Sequence, residues 1–162
     1  MSQVSLFHDQ EVKKLIAGKE MCRECGRKKR AYAKTLDKRL VAVLLKAVNY
    51  CEKAHSVRFD IFDVYGDSER LKADFRKLHY WGIVENTGRY RQYEITNKGW
   101  KFVMGNIRLP KIVWVWRDEV ILSSESTVAI FEVEKRWQLE KSDYTFDYLP
   151  YPFATPAKVK MA

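Results

Sequence analysis

The sequence predicts an α+β protein, and three stretches carry that prediction. Gly66 to Thr96 reads as a helix, a tight two-stranded hairpin and the start of another helix. Residues 36–55 place Leu40, Val41, Val43, Leu44, Leu45, Ala47 and Val48 on one broad apolar face, as a central helix requires. Residues 111–123 alternate Ile112, Trp114 and Trp116 with Val113 and Val115, the period of a strand.

In chain order, Asp9 to Ala17 has the apolar spacing of a short helix ended by Gly18, although a loose arm fits the same residues. Asp37 is the expected N-cap of helix 36–55. Residues 56–66 hold a short strand and then one or two helical turns, closing at Gly66. Asp67 and Ser68 offer N-cap oxygens to a helix over 68–81, where Leu71, Phe75 and Leu78 form an apolar stripe. Glu69, Lys72, Arg76 and Tyr80 are expected on its solvent side. Gly82 stops that helix. Asn86, Thr87 and Gly88 supply the hairpin turn, and Tyr90 to Ile95 forms the return strand. Tyr90, Tyr93 and Trp81 are expected to pack. Thr96 caps a helix over 97–105 with Trp100 inward. Arg117, Asp118 and Glu119 turn the hairpin of 111–123. A further amphipathic helix is expected from Ser126 to Lys141. Pro150, Pro152 and Pro156 then exclude regular structure, leaving a flexible tail.

The most distinctive local chemistry is Cys22-Arg-Glu-Cys25-Gly26, the form of a zinc knuckle. Two intervening residues let both thiolates reach one tetrahedral metal. Cys51 and His55, four apart on a helix, project from one face and would complete a set of three cysteines and one histidine; His8 and His79 are weaker candidates. Three other readings stay open: Cys51 as a small core residue, His55 as a cation at a helix C-terminus, and Cys22 with Cys25 as a free dithiol. Arg27, Lys28, Lys29 and Arg30 follow the knuckle directly, with Lys34, Lys38 and Arg39 beyond. Such long cationic side chains suit phosphate contacts.

Helix, hairpin and helix over about Leu36 to Gly105 resembles the second half of a winged helix-turn-helix. The pattern Tyr93, Ile95, Thr96 and Gly99 is similar to the way the hairpin ends in regulator-like members of that superfamily. The Cys-x2-Cys start, the block from Phe75 to Val84 and the segment from Leu109 to Trp116 also resemble small phage-type winged-helix proteins of no assigned activity. The resemblance implies a viral or mobile-element origin and a recognition helix over 68–81. Its groove contacts would come from Ser68, Glu69, Lys72, Ala73 and Arg76, with Arg89 and Arg91 near the wing tip. Tyr80 would touch backbone.

The net charge of the 162 residues is +9, and it is unevenly placed. Residues 1–58 carry 14 Lys and Arg against 6 Asp and Glu, whereas residues 112–162 carry 6 against 8. A basic N-terminal third favours a polyanion, and the winged-helix resemblance implies double-stranded DNA first, with transcriptional regulation the expected role. Two alternatives remain. One is a protein-interaction module, such as a viral factor that engages a host protein through Trp114 and Trp116. The other is a single-stranded nucleic-acid binder, in which those rings stack on bases. A homodimer built on the C-terminal extension is compatible with each. No apolar run approaches the roughly 18 residues of a membrane span, and three cysteines argue against a disulfide framework, so a cytoplasmic protein is expected, in the host cytoplasm if viral. The chain lacks nucleotide-loop, nucleophile-elbow and paired-carboxylate patterns, and no enzyme is expected. The expected division is a basic arm over 1–35, a winged-helix domain over 36–109, a hairpin and helix extension over 110–149, and a tail over 150–162.

Overall fold

The computed structural model describes residues 9–135. In chain order its elements are α1 (Asp9–Ala17), β1 (Glu20–Met21), β2 (Lys28–Lys29), β3 (Tyr32–Thr35), α2 (Lys38–Ala54), β4 (Arg58–Asp60), α3 (Ile61–Tyr65), α4 (Glu69–Lys77), a 3-10 turn (Leu78–Trp81), β5 (Val84–Asn86), β6 (Gln92–Ile95), α5 (Asn97–Val103), β7 (Leu109–Pro110), β8 (Ile112–Trp116), β9 (Glu119–Ser123), β10 (Thr127–Val128) and α6 (Ile130–Val133). The protein is mixed α+β. The described residues divide into two compact units, one comprising residues 9–36 with Pro110–Thr127, the other Asp37–Leu109 with residues 128–135.

In the first unit the basic arm and the Trp-rich hairpin share a sheet of order β3-β8-β9. Tyr32 pairs with Val115 and Thr35 with Ile112, all antiparallel. Arg117 and Asp118 join β8 to β9 with φ of 48° and 64°. Two left-handed residues in a two-residue loop match the right-handed twist of the strands they join. The core is small. Val12, Ala31 and Ile121 are buried, and Leu15, Ile16, Trp114, Trp116 and Leu122 pack around them half-buried. Trp114 and Trp116 therefore pack on a core face. Strand β1 pairs with β2, and the knuckle loop joins them.

In the second unit α2 begins where Asp37 accepts a hydrogen bond from the Leu40 amide at 3.0 Å. It buries Leu40, Val41, Val43, Leu44, Leu45, Ala47, Val48 and Cys51. Strand β4 follows, then α3 and α4, then a hairpin whose return strand β6 lies between β4 and β5. Phe59 pairs with Tyr93, and Asn86 pairs with the same Tyr93 from the other side. Phe75 of α4 sits at the centre, fully buried. Its ring meets Phe59 at 5.5 Å, Tyr65 at 5.4 Å and Tyr93 at 5.3 Å between centroids. Each large apolar side chain so buried contributes roughly 1.5–3 kcal/mol by area removed from water. The expected single helix over 68–81 is an α-helix to Lys77 followed by the tighter turn to Trp81, which ends at Gly82. The expected helix from Ser126 to Lys141 starts later: strand β10 occupies Thr127–Val128 and α6 spans Ile130–Val133. The remainder of that prediction, with the tail and His8, lies outside the described residues.

The Tyr93, Ile95, Thr96, Gly99 pattern has a packing cause. Thr96 accepts the Gly99 amide at 3.1 Å and donates to the Gly82 carbonyl at 2.5 Å, so one hydroxyl caps α5 and fastens the hairpin's start. A Cβ on Gly99 would run into the Ile83 carbonyl oxygen and the Ile95 side chain. Backbone cannot yield as a flexible side chain can. Gly99→Ala is therefore expected to cost about 1–3 kcal/mol, the range of an overpacked core. Lys101→Ala on the exposed side of α5 should stay within about 0.5 kcal/mol. Urea unfolding of both variants measures this, and equal midpoints would refute the close approach at Gly99.

Candidate nucleic-acid interface

Helix α4 is capped by Ser68, whose hydroxyl accepts the Leu71 amide at 3.3 Å. This is a half-buried capping role for a residue expected at a groove. The buried side of α4 carries Lys72, Asp74 and Phe75. Asp74 is 2% exposed and takes the Lys77 ammonium at 2.9 Å and the Arg39 guanidinium at 3.3 Å. It ties α4 to α2.

Lys72 corrects the expectation of a solvent-facing cation, because its exposure is 0%. Its ammonium lies 3.5 Å from the centroid of the Phe62 ring and 2.7 Å from Glu69. A cation over an aromatic face, with a carboxylate beside it, is stable without water. Arg91 lies in the hairpin turn, as expected, but its side chain is engaged. Its guanidinium stands 4.4 Å from the same Phe62 centroid and 2.6 Å from the Asp60 carboxylate. Desolvation raises the Asp60 carboxyl, but the Phe62 amide and Arg91 outweigh it and hold the group below the ordinary range. Tyr90 corrects a second expectation: it is 87% exposed at the tip of the hairpin instead of packed.

The face that α4 leaves exposed is Glu69, Arg70, Ala73 and Arg76, at helical spacing. Tyr80 follows, half-buried. Arg70 was not among the candidates. Its spacing of three from Ala73 and six from Arg76 is the signal that would have found it. At the wing, Asn86 accepts the Gly88 amide at 2.8 Å, and the Thr87 amide donates to the Gln92 carbonyl at 3.0 Å. That closed turn presents Arg89 and Tyr90 outward.

Comparison with protein families, with curated proteins and with solved structures finds no match for this chain. The site therefore stands on its own geometry. No helix among the described residues is long and apolar enough to cross a membrane.

In the first unit Arg27, Lys28 and Arg30 are exposed and Lys29 is half-buried. The Arg30 guanidinium lies 6.0 Å from the centroid of Tyr32, itself 59% exposed. Lys38 in the second unit is exposed and pairs with Glu134 at 3.9 Å. The Arg117 guanidinium covers Trp116 at 5.1 Å.

Cys22 and Cys25 belong to the first unit, Cys51 and His55 to the second. The backbone amides of Cys25 and then Glu24 donate to the Cys22 sulfur, which brings its thiol down to about 7. Cys25 is exposed. Cys51 is enclosed among apolar side chains, and burial pushes its thiol up to about 12. It has the surroundings of a core thiol. His55 is the left-handed C-cap of α2, its amide on the Cys51 and Glu52 carbonyls. Among the described residues, no three His, Cys, Asp or Glu side chains gather to hold a metal ion.

Glu85 and Glu94 face each other across β5 and β6. They line an open pocket of about 550 Å3 with Arg58, Thr96 and Lys98. Arg58 takes Glu94 at 3.1 Å. The hydrogen bond to Glu94, then burial, then repulsion raise the Glu85 carboxyl. A raised folded-state value favours the protonated form. Its stabilising contribution is complete below the unfolded value and is lost as pH rises through the folded one. Glu85→Gln is therefore expected to match the wild type in acid and to exceed it by roughly 0.2–1 kcal/mol at neutral pH, the scale of facing like charges. Urea midpoints across pH measure the gap, and a gap that does not widen with pH would refute the shared proton.

Proposed function

We propose that residues 37–109 form a winged helix that binds duplex DNA as part of a regulator of viral or mobile-element type. The element order supports the reading. A long helix, a short strand, two further helices and a hairpin follow one another, and the first strand pairs with the hairpin's return strand. In such domains the second helix of the pair enters the major groove and the hairpin reaches the flanking backbone.

The single observation that carries the reading is which cations the fold leaves outside. Lys72 and Arg91 are spent on Phe62, Glu69 and Asp60. Arg70 and Arg76 on α4, and Arg89 beside Tyr90 on the wing, remain exposed. Arginine on a helix face can take guanine O6 and N7 together, and arginine on a wing meets phosphate. Glu69 on the same face disfavours indiscriminate phosphate contact and suits selection among bases. The exposed Arg27, Lys28 and Arg30 add a sequence-independent term.

Fluorescence anisotropy with duplex and matched single strands, over a salt series, tests the reading. Duplex binding should weaken steeply with salt. Arg89→Ala should lower the slope by about 1, as loss of one phosphate contact does. Arg76→Ala should instead change the preference among sequences. Lys72→Met should leave slope and preference unaltered, since its ammonium never reaches the solvent. Absence of duplex binding at low salt by the folded protein would overturn the proposal. A preference for single strands would transfer the function to the exposed Tyr32 and Tyr90, whose rings could stack on bases.

A further inference from the structure

The loop between β1 and β2 spans six residues, exposed but for the half-buried Cys22, and is tied together by its own backbone. The Cys22 amide donates to the Arg27 carbonyl at 2.7 Å, and the Gly26 amide donates back to the Cys22 carbonyl at 2.9 Å. Gly26 has a φ of +70°, and a Cβ there would meet no atom within 4 Å. Only the left-handed backbone, not crowding, calls for glycine at this position. That bend turns the Glu24 and Cys25 amides onto the Cys22 sulfur and sets the Cys25 side chain beside it. Both cysteines stand at the surface of the loop, half-exposed and exposed. A short loop that directs two backbone amides at one sulfur and holds a second sulfur next to it is organised around a pair of cysteine sulfurs.

Two thiolates fill half of a tetrahedral site. The chain has three cysteines, and the third, Cys51, is enclosed in the core of the second unit. The accessible thiols of one chain are thus two, and two chains supply four. A zinc centre held by four thiolates carries two negative charges. Each loop brings Arg23, Arg27 and Lys28 to its rim, all exposed. The cations that would repel one another across a metal-free contact of two loops are neutralised in part when the thiolates and metal lie between them.

We infer that Cys22 and Cys25 form a preformed half-site for zinc, and that the same pair from a second copy of this chain closes it. The metal then acts as a two-fold link between chains. Zinc displaces the thiol protons to solvent, forms four zinc–sulfur bonds and changes no oxidation state. The metal ligands lie outside helix α4 and the wing, so the test of this inference needs no DNA.

The test uses the full chain, reduced, titrated with cobalt(II) as a spectroscopic stand-in for zinc, while light scattering follows its mass. Tetrahedral thiolate absorption should saturate at one metal for two chains. The mass should double with the same midpoint, and a chelator should reverse both. Cys22→Ser and Cys25→Ser should each abolish the absorption and the dimer while leaving the unfolding transition in place. Cys51→Ala should keep both signals. Saturation at one metal per chain with unchanged mass would overturn the bridging role. No tetrahedral cobalt spectrum in the wild type, or one that survives both serine variants, would overturn the site altogether.

Discussion

The second unit depends on how one residue, Arg91, fastens the wing to the helices. Its carbonyl accepts the Ile61 amide at 3.0 Å, at the first residue of α3. Its guanidinium holds Asp60, the N-cap of that helix, and lies over Phe62. The backbone is left-handed, with φ of 63°. A side-chain-bearing residue in that region costs on the order of 1–3 kcal/mol. A half-exposed ion pair contributes up to about 1 kcal/mol, and a partly desolvated cation–π contact about 1–2 kcal/mol. Neither offsets the strain alone, but together with the amide bond they do. Lys72 covers Phe62 too, so α3, α4 and the base of the wing meet on one ring.

The same arrangement decides what the surface can do. The ring takes the Lys72 ammonium from solvent and holds the half-exposed Arg91 guanidinium in place, and their carboxylate partners Glu69 and Asp60 are engaged with them. Of the basic residues along α4 and the wing, the exposed ones are then Arg70, Arg76 and Arg89, with Lys77 turned toward Asp74. Specific and non-specific binding differ in where charge is fixed more than in how much there is. In the proposed reading, the exposed face with two arginines around Ala73 is the part of α4 that would set the register on a groove.

Local signals in the sequence located the helices well. Asp37, Ser68 and Thr96 each cap the helix expected from them, because a side-chain oxygen three residues before an amide is a contact within one turn. The strand and short helix over 56–66 and the turn at Arg117–Asp118 were legible for the same reason. The misreadings are non-local. Lysine is ordinarily solvated, and nothing near Lys72 in sequence announces that Phe62 lies over its ammonium. Arg91 does lie in the hairpin turn, but its tie to Asp60, 31 residues away, has no local signal. Tyr90 was expected to pack because aromatic residues usually do, yet the tip has no opposite face to receive it. The pairing of β3 with β8 joins stretches that the sequence presents as an arm and an extension, and no local pattern records it.

Folding also divides the basic run that dominates the sequence. Lys28 and Lys29 form a strand, and successive side chains of a strand point to opposite faces. Lys28 and Lys29 therefore point to opposite faces, in keeping with the exposure of the first and the half-burial of the second. The two do not present their charges to one side. Lys38 and Arg39 are drawn to Glu134 and Asp74. The number of counterions released on binding is set by the cations that reach phosphate and not by formal charge. A net charge of +9 thus overstates the contacts this fold can make. Of the cations assigned to the proposed interface, Arg27, Lys28 and Arg30 in one unit and Arg70, Arg76 and Arg89 in the other are exposed.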